Sequence, residues 1–565
     1  YPATGKFPSW KIAKALEIVL DSLDQVEDFL PETIREQYEF PNLFDAFKEV
    51  HRPTDINRAD LARARLTFDE AFLLQLTMLS QKREQAKIYT LARIPKANGV
   101  LAEFDKRLPF QLTPGQISVS EEIFRDLLAE HPMHRLLQGE VGSGKTIVAL
   151  RSALNVIDAS AQVAFLAPTE VLAQQHYRTI KKQLGELSTK GELGAPELAI
   201  NVALLTGSMS QSEKRETQAR IRSGEVDLVV GTHALLSEAV EFNDLGLVVV
   251  DEQHRFGVEQ RDALRAKAKT PPHLLVMTAT PIPRTVAITV FGDLDISTLS
   301  ELPLGRTPIT THLVNALSKP NYLERAWQRI KEEVSAGHQA YVVAPRISAG
   351  NSEDIDMDFL FGTESKEMAA VTELAPELAT GVLKGLRVAQ LHGKQNSDEK
   401  EATMQAFSAK EIDVLVATTV IEVGVDVPNA TVMVIMDADR FGISQLHQLR
   451  GRIGRGQAPG LCLLITKVPE NSLAFERLNA VANTLDGFEL ARIDLDQRRE
   501  GDVLGVSQSG TRSHLKLLRV LRDEEIIIKA RSAAEITLDT GISPTLAREI
   551  SKLLAEREVE FLDKG

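Results

Sequence analysis

The sequence predicts an α/β protein with two tandem parallel-sheet domains, flanked by helical N-terminal and C-terminal regions. Short β-branched runs alternate with helical stretches from about residue 105, and the same alternation begins again after residue 300. These runs are apolar almost throughout, as in parallel strands that are buried on both faces. We expect a helical region, a first sheet domain, a second sheet domain and a helical C-terminal region, at residues 1–104, 105–300, 301–468 and 469–565.

The composition is that of a globular protein. Of the 565 residues, 43% are hydrophobic and 25% are charged, which is too apolar for a disordered chain. Lys and Arg number 65 against 79 Asp and Glu, giving a net charge of −14. This balance excludes a histone-like coat of positive charge, but not a local basic groove. Cys462 is the single cysteine, so an intrachain disulfide and a cysteine zinc cluster are excluded. The sequence shows no apolar run long enough to cross a bilayer, and we expect a protein of the reducing cytoplasm without membrane contact.

The predicted strands are short apolar runs. In the first domain they lie at residues 162–166, 202–205, 226–230, 245–250 and 274–277. In the second domain they lie at residues 340–344, 387–391, 414–417, 432–436 and 461–465. Upstream, apolar residues from Phe72 to Leu79 recur at helical spacing and predict a helix across 66–88. The polar, acidic stretch 346–368 is predicted to be a surface loop.

A glycine-rich segment predicts a phosphate-binding loop. Residues 139–146 read Gly-Glu-Val-Gly-Ser-Gly-Lys-Thr, after the apolar pair Leu136-Leu137 and before the helical run Ile147–Leu154. Glycines let backbone N–H groups turn inward around a phosphate, and the helix N-terminus adds its dipole. Lys145 is expected to reach the β and γ phosphates of ATP, and Thr146 to hold Mg²⁺. A chance glycine-rich turn is the alternative, and the flanking strand and helix disfavour it. The loop glycines are Gly139, Gly142 and Gly144.

A second buried strand ends in two carboxylates. The run Val248-Val249-Val250 delivers Asp251 at its carboxyl end, where ligands bind in open α/β sheets. Asp251 is expected to hold Mg²⁺, and Glu252 to orient and deprotonate the attacking water. An Asp-Glu pair alone is often a solvated strand end. Downstream of a phosphate loop, the pair indicates nucleotide hydrolysis.

The motif set resembles the superfamily 2 helicases, whose fold is a pair of RecA-like domains. Residues 251–254 read Asp-Glu-Gln-His and resemble the family's DExH box, and further motifs follow in the family's order. The resemblance implies that Phe110 and Gln116 belong to a Q motif in which Gln116 reads adenine. It also implies that Thr278 and Thr280 couple hydrolysis to movement of the domains.

Polar residues at strand ends and loops of both domains match the family's DNA-backbone motifs. Hydroxyl and N–H groups suffice to contact phosphates, so base readout is not needed. Taken singly, each such residue is more typical of a helix cap or a turn. Together, at the helicase positions, they predict phosphate contacts for Thr169, Thr206, Ser208, Thr232, His233, Thr418 and Thr419. By the same resemblance, Gly424 and Asp426 of the neighbouring motif V are expected at the nucleotide.

Residues 445–456 resemble motif VI of the same family. Arg452 and Arg455 lie three apart, so on a helical turn they would share a face and point across a cleft at the γ-phosphate. An arginine there stabilises the charge that develops in phosphoryl transfer. A nonspecific nucleic-acid patch is the alternative, and the ordered Gln-x-x-Gly-Arg-x-Gly-Arg pattern disfavours it. The resemblance implies that Gln448, like Thr278 and Thr280, couples hydrolysis to movement of the domains.

Extended motifs narrow the resemblance to the RecG family of DNA helicases and to the transcription-repair coupling factors. These motifs lie at 253–261 and 277–285. Residues 486–510 resemble a translocation element that both families share, in which Arg498 and Gln508 would link a loop to its helices. The helical start of the chain favours the RecG family. We expect that family's wedge domain to lie outside this chain, which would reduce selectivity for forks.

The resemblance implies an ATP- and Mg²⁺-dependent helicase that translocates on double-stranded DNA. It implies remodelling of branched DNA, by reversal of stalled replication forks and branch migration of Holliday junctions, in recombination and repair. The expected setting is the bacterial nucleoid in the cytoplasm. We expect a monomer, with single-stranded DNA-binding protein as a partner to test.

Three alternatives stay open from the sequence. One is a motor that acts on RNA polymerase, as the coupling factors do. Another is a DNA clamp that binds ATP without hydrolysing it, which the presence of Glu252, Arg452 and Arg455 disfavours. A metal-dependent nuclease is disfavoured because the chain shows no H-E-x-x-H spacing, and a lone histidine such as His176 is more typical of a structural role.

Overall fold

A computed structural model describes most of the chain. The described residues are 8–23, 26–251, 267–278, 294–301, 309–345, 364–419, 427–456, 458–497, 516–520 and 522–562. The chain divides into two compact units. The smaller unit comprises residues 1–85, 283–293 and 498–565, and the larger one comprises 86–282 and 294–497.

Strands and helices alternate through the larger unit, whereas the described elements of the smaller unit are helical. The strands are β1 His134–Gly139, β2 Gln162–Leu166, β3 Val202–Leu205, β4 Leu228–Gly231, β5 Leu245–Asp251, β6 His273–Thr278, β7 Asp295–Leu299, β8 Ile309–Asn315, β9 Gln339–Val343, β10 Val388–Leu391, β11 Val414–Ala417, β12 Ala430–Ile435 and β13 Gly460–Thr466. The helices are α1 Ser9–Ser22, α2 Glu32–Gln37, α3 Leu43–His51, α4 Ile56–Ala86, α5 Val100–Arg107, α6 Pro114–Leu127, α7 Lys145–Asp158, α8 Glu170–Leu184, α9 Gln211–Arg222, α10 Pro320–Ser335, α11 Glu364–Thr380, α12 Ser397–Ser408, α13 Ile443–Arg450, α14 Leu473–Asn483, α15 Gly487–Gln497, α16 Glu524–Thr540 and α17 Pro544–Leu562.

The long helix α4 organises the smaller unit. Its Arg65 is fully buried and donates from Nε to Asp69 (2.8 Å) and from Nη2 to Asp28 (2.7 Å). A buried guanidinium needs such partners, because an unpaired charge in the interior costs several kcal/mol. Further along, the Glu70 carboxylate accepts the backbone N–H groups of residues 516–518. Helix α4 therefore ties an early segment and a late segment of the chain together.

The larger unit contains two parallel sheets. The first has seven strands in the order β3-β4-β2-β5-β6-β1-β7, and the second has six in the order β10-β11-β9-β12-β13-β8. We call each sheet with its covering helices the first lobe and the second lobe. Central strands are buried along their whole length, as β1, β2 and β6 show, because helices cover both faces. This is the topology that places ligands at the carboxyl ends of the strands.

The predicted fold class is confirmed, since two parallel sheets stand in tandem between helical regions. Each of the ten predicted runs overlaps a strand of the structure. The edge strands β7 and β8 were not predicted. Their sequences, Asp-Ile-Ser-Thr-Leu and Ile-Thr-Thr-His-Leu-Val-Asn, are half polar because an edge strand is only partly covered.

The predicted surface loop at 346–368 is wrong over its last five residues. Helix α11 begins at Glu364, so residues 364–368 are helical. The segment Glu-Ser-Lys-Glu-Met-Ala-Ala consists mainly of good helix formers. The rest of that stretch, 346–363, lies outside the described residues.

Candidate nucleotide site between the two lobes

The phosphate loop follows β1 and ends where α7 begins. Gly142 and Gly144 take φ values of +85° and +90°, a left-handed conformation that other residues adopt only with strain. Space is also restricted, because a Cβ built on Gly144 would lie 2.2 Å from Nε2 of Gln116. A Cβ on Gly139 would lie 2.9 Å from the carbonyl oxygen of Leu299. Glycine is therefore required at these three positions by the backbone itself.

Lys145 lies inside the loop that it is expected to serve. Its Nζ donates to the carbonyl oxygens of Gly139 (2.7 Å) and Glu140 (2.9 Å), and the residue is 9% exposed. The neighbouring Ser143 hydroxyl is buried and has no hydrogen-bond partner among the described residues. A curled backbone, a buried ammonium group and an unsatisfied hydroxyl suit a triphosphate. To bind one, Lys145 must exchange the two carbonyls for phosphate oxygens.

Gln116 holds the phosphate loop from the outside. Its Oε1 accepts from the backbone N–H of Thr113 (3.0 Å), which completes a capping box at the start of α6. Its Nε2 donates to the carbonyl oxygen of Ser143 (2.9 Å). The side chain is 3% exposed, whereas Phe110 is 49% exposed. The structure thus gives Gln116 a loop contact, and adenine recognition by the pair stays a prediction.

Three strand ends meet beside the loop. Gly139, Asp251 and Thr278 close β1, β5 and β6, which are neighbours in the first sheet. Asp251 Oδ2 lies 2.8 Å from Nε2 of His176 on α8, and both side chains are mostly buried. The sheet therefore brings the expected Mg²⁺ carboxylate and the expected coupling threonine to the edge that carries the phosphate loop.

The expected DNA-contacting residues of the first lobe fall into two groups. Ser208 and His233 are exposed, whereas Thr206 and Thr232 are 1% and 6% exposed. Thr169 caps α8, its hydroxyl accepting from the N–H of Leu172 at 3.3 Å. In this conformation the side chains of Ser208 and His233 are exposed, as contact with DNA requires. The side chains of Thr206 and Thr232 are buried in this conformation, and Thr169 is half-buried.

In the second lobe, Thr418 and Thr419 follow β11. Thr418 is 2% exposed, and its hydroxyl has no hydrogen-bond partner among the described residues. Thr419 is half-buried. Both stand at the carboxyl edge of the second sheet, and their contact with DNA stays a prediction.

The two motif VI arginines do not lie on a helix. Helix α13 ends at Arg450, and Gly454 takes a left-handed φ of +66°, so the helical arrangement expected for Arg452 and Arg455 is wrong. They lie in the turn and loop that follow, where Arg455 Nε donates to the carbonyl oxygen of Gly451 (2.9 Å). Gln448 is half-buried on α13 itself.

Both motif VI arginines act electrostatically on one buried phenol. Burial raises the pKa of Tyr341 on β9 to about 12, and the charges of Arg452 and Arg455 act on that pKa in the opposite direction.

The phosphate loop touches the motif VI turn. A Cβ built on Gly451 would lie 3.1 Å from the Cβ of Val141, closer than ordinary van der Waals contact. Beside it, Glu140 Oε1 accepts the backbone N–H of Gly487 (2.7 Å), so two successive loop residues contact the second lobe. An ion pair between Arg178 of α8 and Glu401 of α12 also joins the lobes. The first-lobe phosphate loop thus lies against the second-lobe turn that carries Arg452 and Arg455.

Comparison with known proteins shows which family the chain belongs to. The chain matches the models of the DEAD/DEAH box helicase at residues 113–288, the helicase conserved C-terminal domain at 327–457, and domain 3, C-terminal, of the ATP-dependent DNA helicase RecG at 484–553. It is 52% identical over 567 residues to the ATP-dependent DNA helicase RecG of Mycobacterium tuberculosis, covering 100% of this chain and 76% of the relative. The chain belongs to the RecG family of ATP-dependent DNA helicases.

Other members of the RecG family are also similar to it. The Bacillus subtilis enzyme is 41% identical over 511 residues, covering 90% of this chain and 70% of that one. A solved structure of RecG bound to a three-way DNA junction is 35% identical, with a TM-score of 0.70. This match covers 94% of the chain described here and 65% of the solved one. Family membership makes the protein an ATP-driven DNA helicase.

Several expected site residues lie outside the described part of this RecG-family chain. They are Glu252, Thr280, Gly424, Asp426, Arg498 and Gln508. Their assignments stay predictions.

The sequence alone did not identify two residues of the site, His176 and Glu140. His176 was assigned a structural role because a lone histidine gives no motif signal, yet it contacts Asp251 across 75 positions of sequence. Glu140 stands inside the phosphate-loop motif at a position that admits any residue. Its partner Gly487 lies in the part of the chain matched by the RecG domain 3 model, and no local pattern links the two.

Among the described residues, no helix combines the length and the apolar character that crossing a bilayer requires.

Proposed function

We propose that this chain is a double-stranded DNA translocase that remodels branched DNA. The reactions we propose are reversal of stalled replication forks and branch migration of Holliday junctions, in recombination and repair. The observation that carries the proposal is the contact between Val141 of the phosphate loop and Gly451 of motif VI. It joins the nucleotide loop of one lobe to the arginines of the other, so a change at the γ-phosphate can alter how the lobes meet.

The nucleotide is held by the first lobe in this proposal. Lys145 leaves the carbonyl oxygens of Gly139 and Glu140 and binds the β and γ phosphates. Thr146 and Asp251 are proposed to hold Mg²⁺, which would neutralise charge on the transferring phosphoryl group. Glu252, directly after Asp251, is proposed to orient and deprotonate the attacking water.

The second lobe completes the proposed site. Arg452 and Arg455 stand in the loop after α13, next to the contact of Gly451 with Val141. A guanidinium group brought to the γ-phosphate stabilises the charge of the transition state. When the γ-phosphate leaves, that attraction is lost and the lobes are freed to separate. Such a cycle would move the chain along DNA.

DNA is proposed to contact both lobes through its phosphates. The exposed Ser208 and His233 offer side chains on the first lobe, and Thr419 lies at the corresponding edge of the second. Phosphate contacts position a protein on DNA without reading its sequence. The similarity to a RecG structure solved on a three-way junction supports a branched substrate.

The proposal extends to the cellular setting. The relatives are bacterial DNA helicases, which supports action on the nucleoid in bacterial cytoplasm. We propose a monomer as the active species. Single-stranded DNA-binding protein is the proposed partner, because stalled forks expose single strands.

An ATPase assay across DNA structures tests the proposed function. Phosphate release is measured without DNA and with single-stranded, duplex, forked and four-way DNA, alongside the Lys145→Ala variant. We expect duplex and branched DNA to stimulate turnover and Lys145→Ala to abolish it. If DNA fails to raise turnover, or if Lys145→Ala keeps it, the proposal is wrong.

A further inference from the structure

The phosphate loop makes a hydrogen bond to a helix that is not part of any nucleotide motif. Oε1 of Glu140 accepts the backbone N–H of Gly487 at 2.7 Å, across 347 positions of sequence. Gly487 is the first residue of α15. The carbonyl oxygen of Asp486 accepts the N–H of Leu490, and Asp486 Oδ1 accepts the N–H of Phe488 (2.8 Å), so Asp486 caps the helix. Glu140 thus binds an N–H group that the helix itself leaves unpaired.

Glu140 contacts the catalytic lysine with its other polar group. Its carbonyl oxygen accepts from Lys145 Nζ at 2.9 Å, while its carboxylate binds Gly487. When Lys145 turns to a phosphate, the Glu140 carbonyl loses this partner. Glu140 therefore loses a hydrogen bond when Lys145 moves, and the same residue is hydrogen-bonded to the start of α15.

Helix α15 is packed onto the motif VI helix. Ser444 of α13 donates to Asp494 of α15 (Oγ–Oδ2 3.1 Å), and Leu446 and Leu490 are buried in the same apolar cluster. At the end of α13, Arg450 donates to the carbonyl oxygen of Thr484 (2.8 Å), just before α15. Polar and apolar contacts therefore join α15 to the motif VI helix, so a displacement at the start of α15 bears directly on motif VI.

Electrostatics favour this contact. The N-terminus of a helix carries partial positive charge, so a carboxylate placed there is stabilising. A hydrogen bond to a charged acceptor is also stronger than one between neutral groups. Both terms depend on the carboxylate of Glu140 staying within reach of Gly487, so a shift of the phosphate loop weakens them together.

We propose that Glu140 is a positioning residue that links occupancy of the phosphate loop to helix α15. The proposal rests on the proposed function, since it concerns how hydrolysis is converted into movement. It assigns the loop a direct connection to the segment that the RecG domain 3 model matches, parallel to the motif VI arginines. Loss of the link uncouples movement from ATP hydrolysis.

Two substitutions remove the same bond from opposite sides. Glu140→Ala removes the acceptor. Gly487→Pro removes the donor, and proline is well tolerated at the first position of a helix because its fixed φ suits that position. Glu140→Gln keeps an acceptor oxygen, and Gly487→Ala keeps the N–H, so these are the matched controls. Thermal unfolding and binding of a nonhydrolysable ATP analogue check that each variant folds.

The measurement is the number of base pairs travelled per ATP hydrolysed, with the full chain. Triplex displacement on duplex DNA gives the rate of travel, and phosphate release under the same conditions gives the rate of hydrolysis. We expect Glu140→Ala and Gly487→Pro each to lower the ratio by about threefold or more, the factor that about 0.7 kcal/mol of lost coupling produces. Gly487→Ala is expected to stay near the wild-type ratio, and Glu140→Gln, which keeps an acceptor oxygen without the charge, is expected to lie between wild type and Glu140→Ala.

The double variant gives the sharpest outcome. If the bond carries the coupling, Glu140→Ala combined with Gly487→Pro lowers the ratio no further than either change alone. An unchanged ratio in Glu140→Ala, an equal fall in both rates, or additive losses in the double variant would overturn the inference. Should wild type show no DNA-stimulated hydrolysis, the proposed function itself fails. If the wild type is active and the variants keep the wild-type ratio, only the role of Glu140 is wrong.

Discussion

Nε2 of His176 lies 2.8 Å from Oδ2 of Asp251, the carboxylate that ends β5. The imidazole ring also packs against Phe165, with ring centroids 4.7 Å apart. Strand β5 is separated by one strand, β6, from β1, which the phosphate loop follows. The proposed metal carboxylate is therefore fixed in place by a neighbouring helix as well as by its own strand.

Substitution of His176 is expected to impair hydrolysis without unfolding the lobe. His176→Ala removes a hydrogen bond to a charged group, worth about 1.5 kcal/mol, so we expect about a tenfold fall in DNA-stimulated kcat and a higher Mg²⁺ requirement. Phosphate release as a function of Mg²⁺ concentration measures both. His312→Ala, at an exposed position of β8, is the control. A His176→Ala enzyme that matched the control would show that Asp251 needs no such support.

The contact of Gly451 with Val141 predicts a graded steric series. A Cβ at Gly451 would lie 3.1 Å from the Cβ of Val141, so alanine presses on the phosphate loop and valine presses harder. Overpacking of this kind costs roughly 1–3 kcal/mol. We expect Gly451→Ala to slow ATP turnover moderately and Gly451→Val to slow it more, while affinity for ATP changes little.

Steady-state hydrolysis and fluorescent-nucleotide binding measure the two quantities. Equal turnover in wild type and Gly451→Val would mean that the lobes do not meet at this point during the cycle.

The buried His273 is expected to make the first lobe less stable at acidic pH. The residue begins β6, is fully buried, and its Nδ1 accepts the N–H of Met133 (3.1 Å). Burial lowers the pKa of His273 from 6.5 to about 4, because the charged form is poorly solvated. The unfolded chain therefore binds this proton more readily than the folded one. Stability is fully present above pH 6.5 and is lost as pH falls towards 4.

The expected loss at His273 is on the order of 3 kcal/mol, from 2.5 pKa units at about 1.36 kcal/mol each. His273→Asn keeps an acceptor for Met133 and cannot take up the proton. Urea unfolding at a series of pH values compares the two proteins. We expect the wild type to lose stability relative to His273→Asn below pH 6.5, and parallel curves would rule out the buried neutral histidine.

Local signals predicted the phosphate loop and most of the two sheets. Gly142 and Gly144 are required by their left-handed backbone within the loop itself, so a short motif carries that information. Buried central strands are continuous apolar runs, which a sequence shows directly. The edge strands β7 and β8 were missed because their composition reflects partial cover by the rest of the chain.

Long-range contacts could not be predicted in the same way. Glu140 and Gly487 lie 347 positions apart, and His176 and Asp251 lie 75 apart, so tertiary packing alone brings each pair together. The spacing of Arg452 and Arg455 suggested a helical face. Helix α13 ends at Arg450, before both arginines, and Gly454 between them takes a left-handed φ, so the two residues lie in a turn and loop.

The central claim is that arginines of the second lobe complete a nucleotide site held by the first. The most direct test is ATP hydrolysis by Arg455→Ala on duplex DNA, compared with its binding of a nonhydrolysable ATP analogue. We predict that turnover falls by about 100-fold or more, as loss of a transition-state arginine does, while the analogue is bound nearly as tightly as by wild type. Turnover close to wild type in Arg455→Ala would contradict the claim.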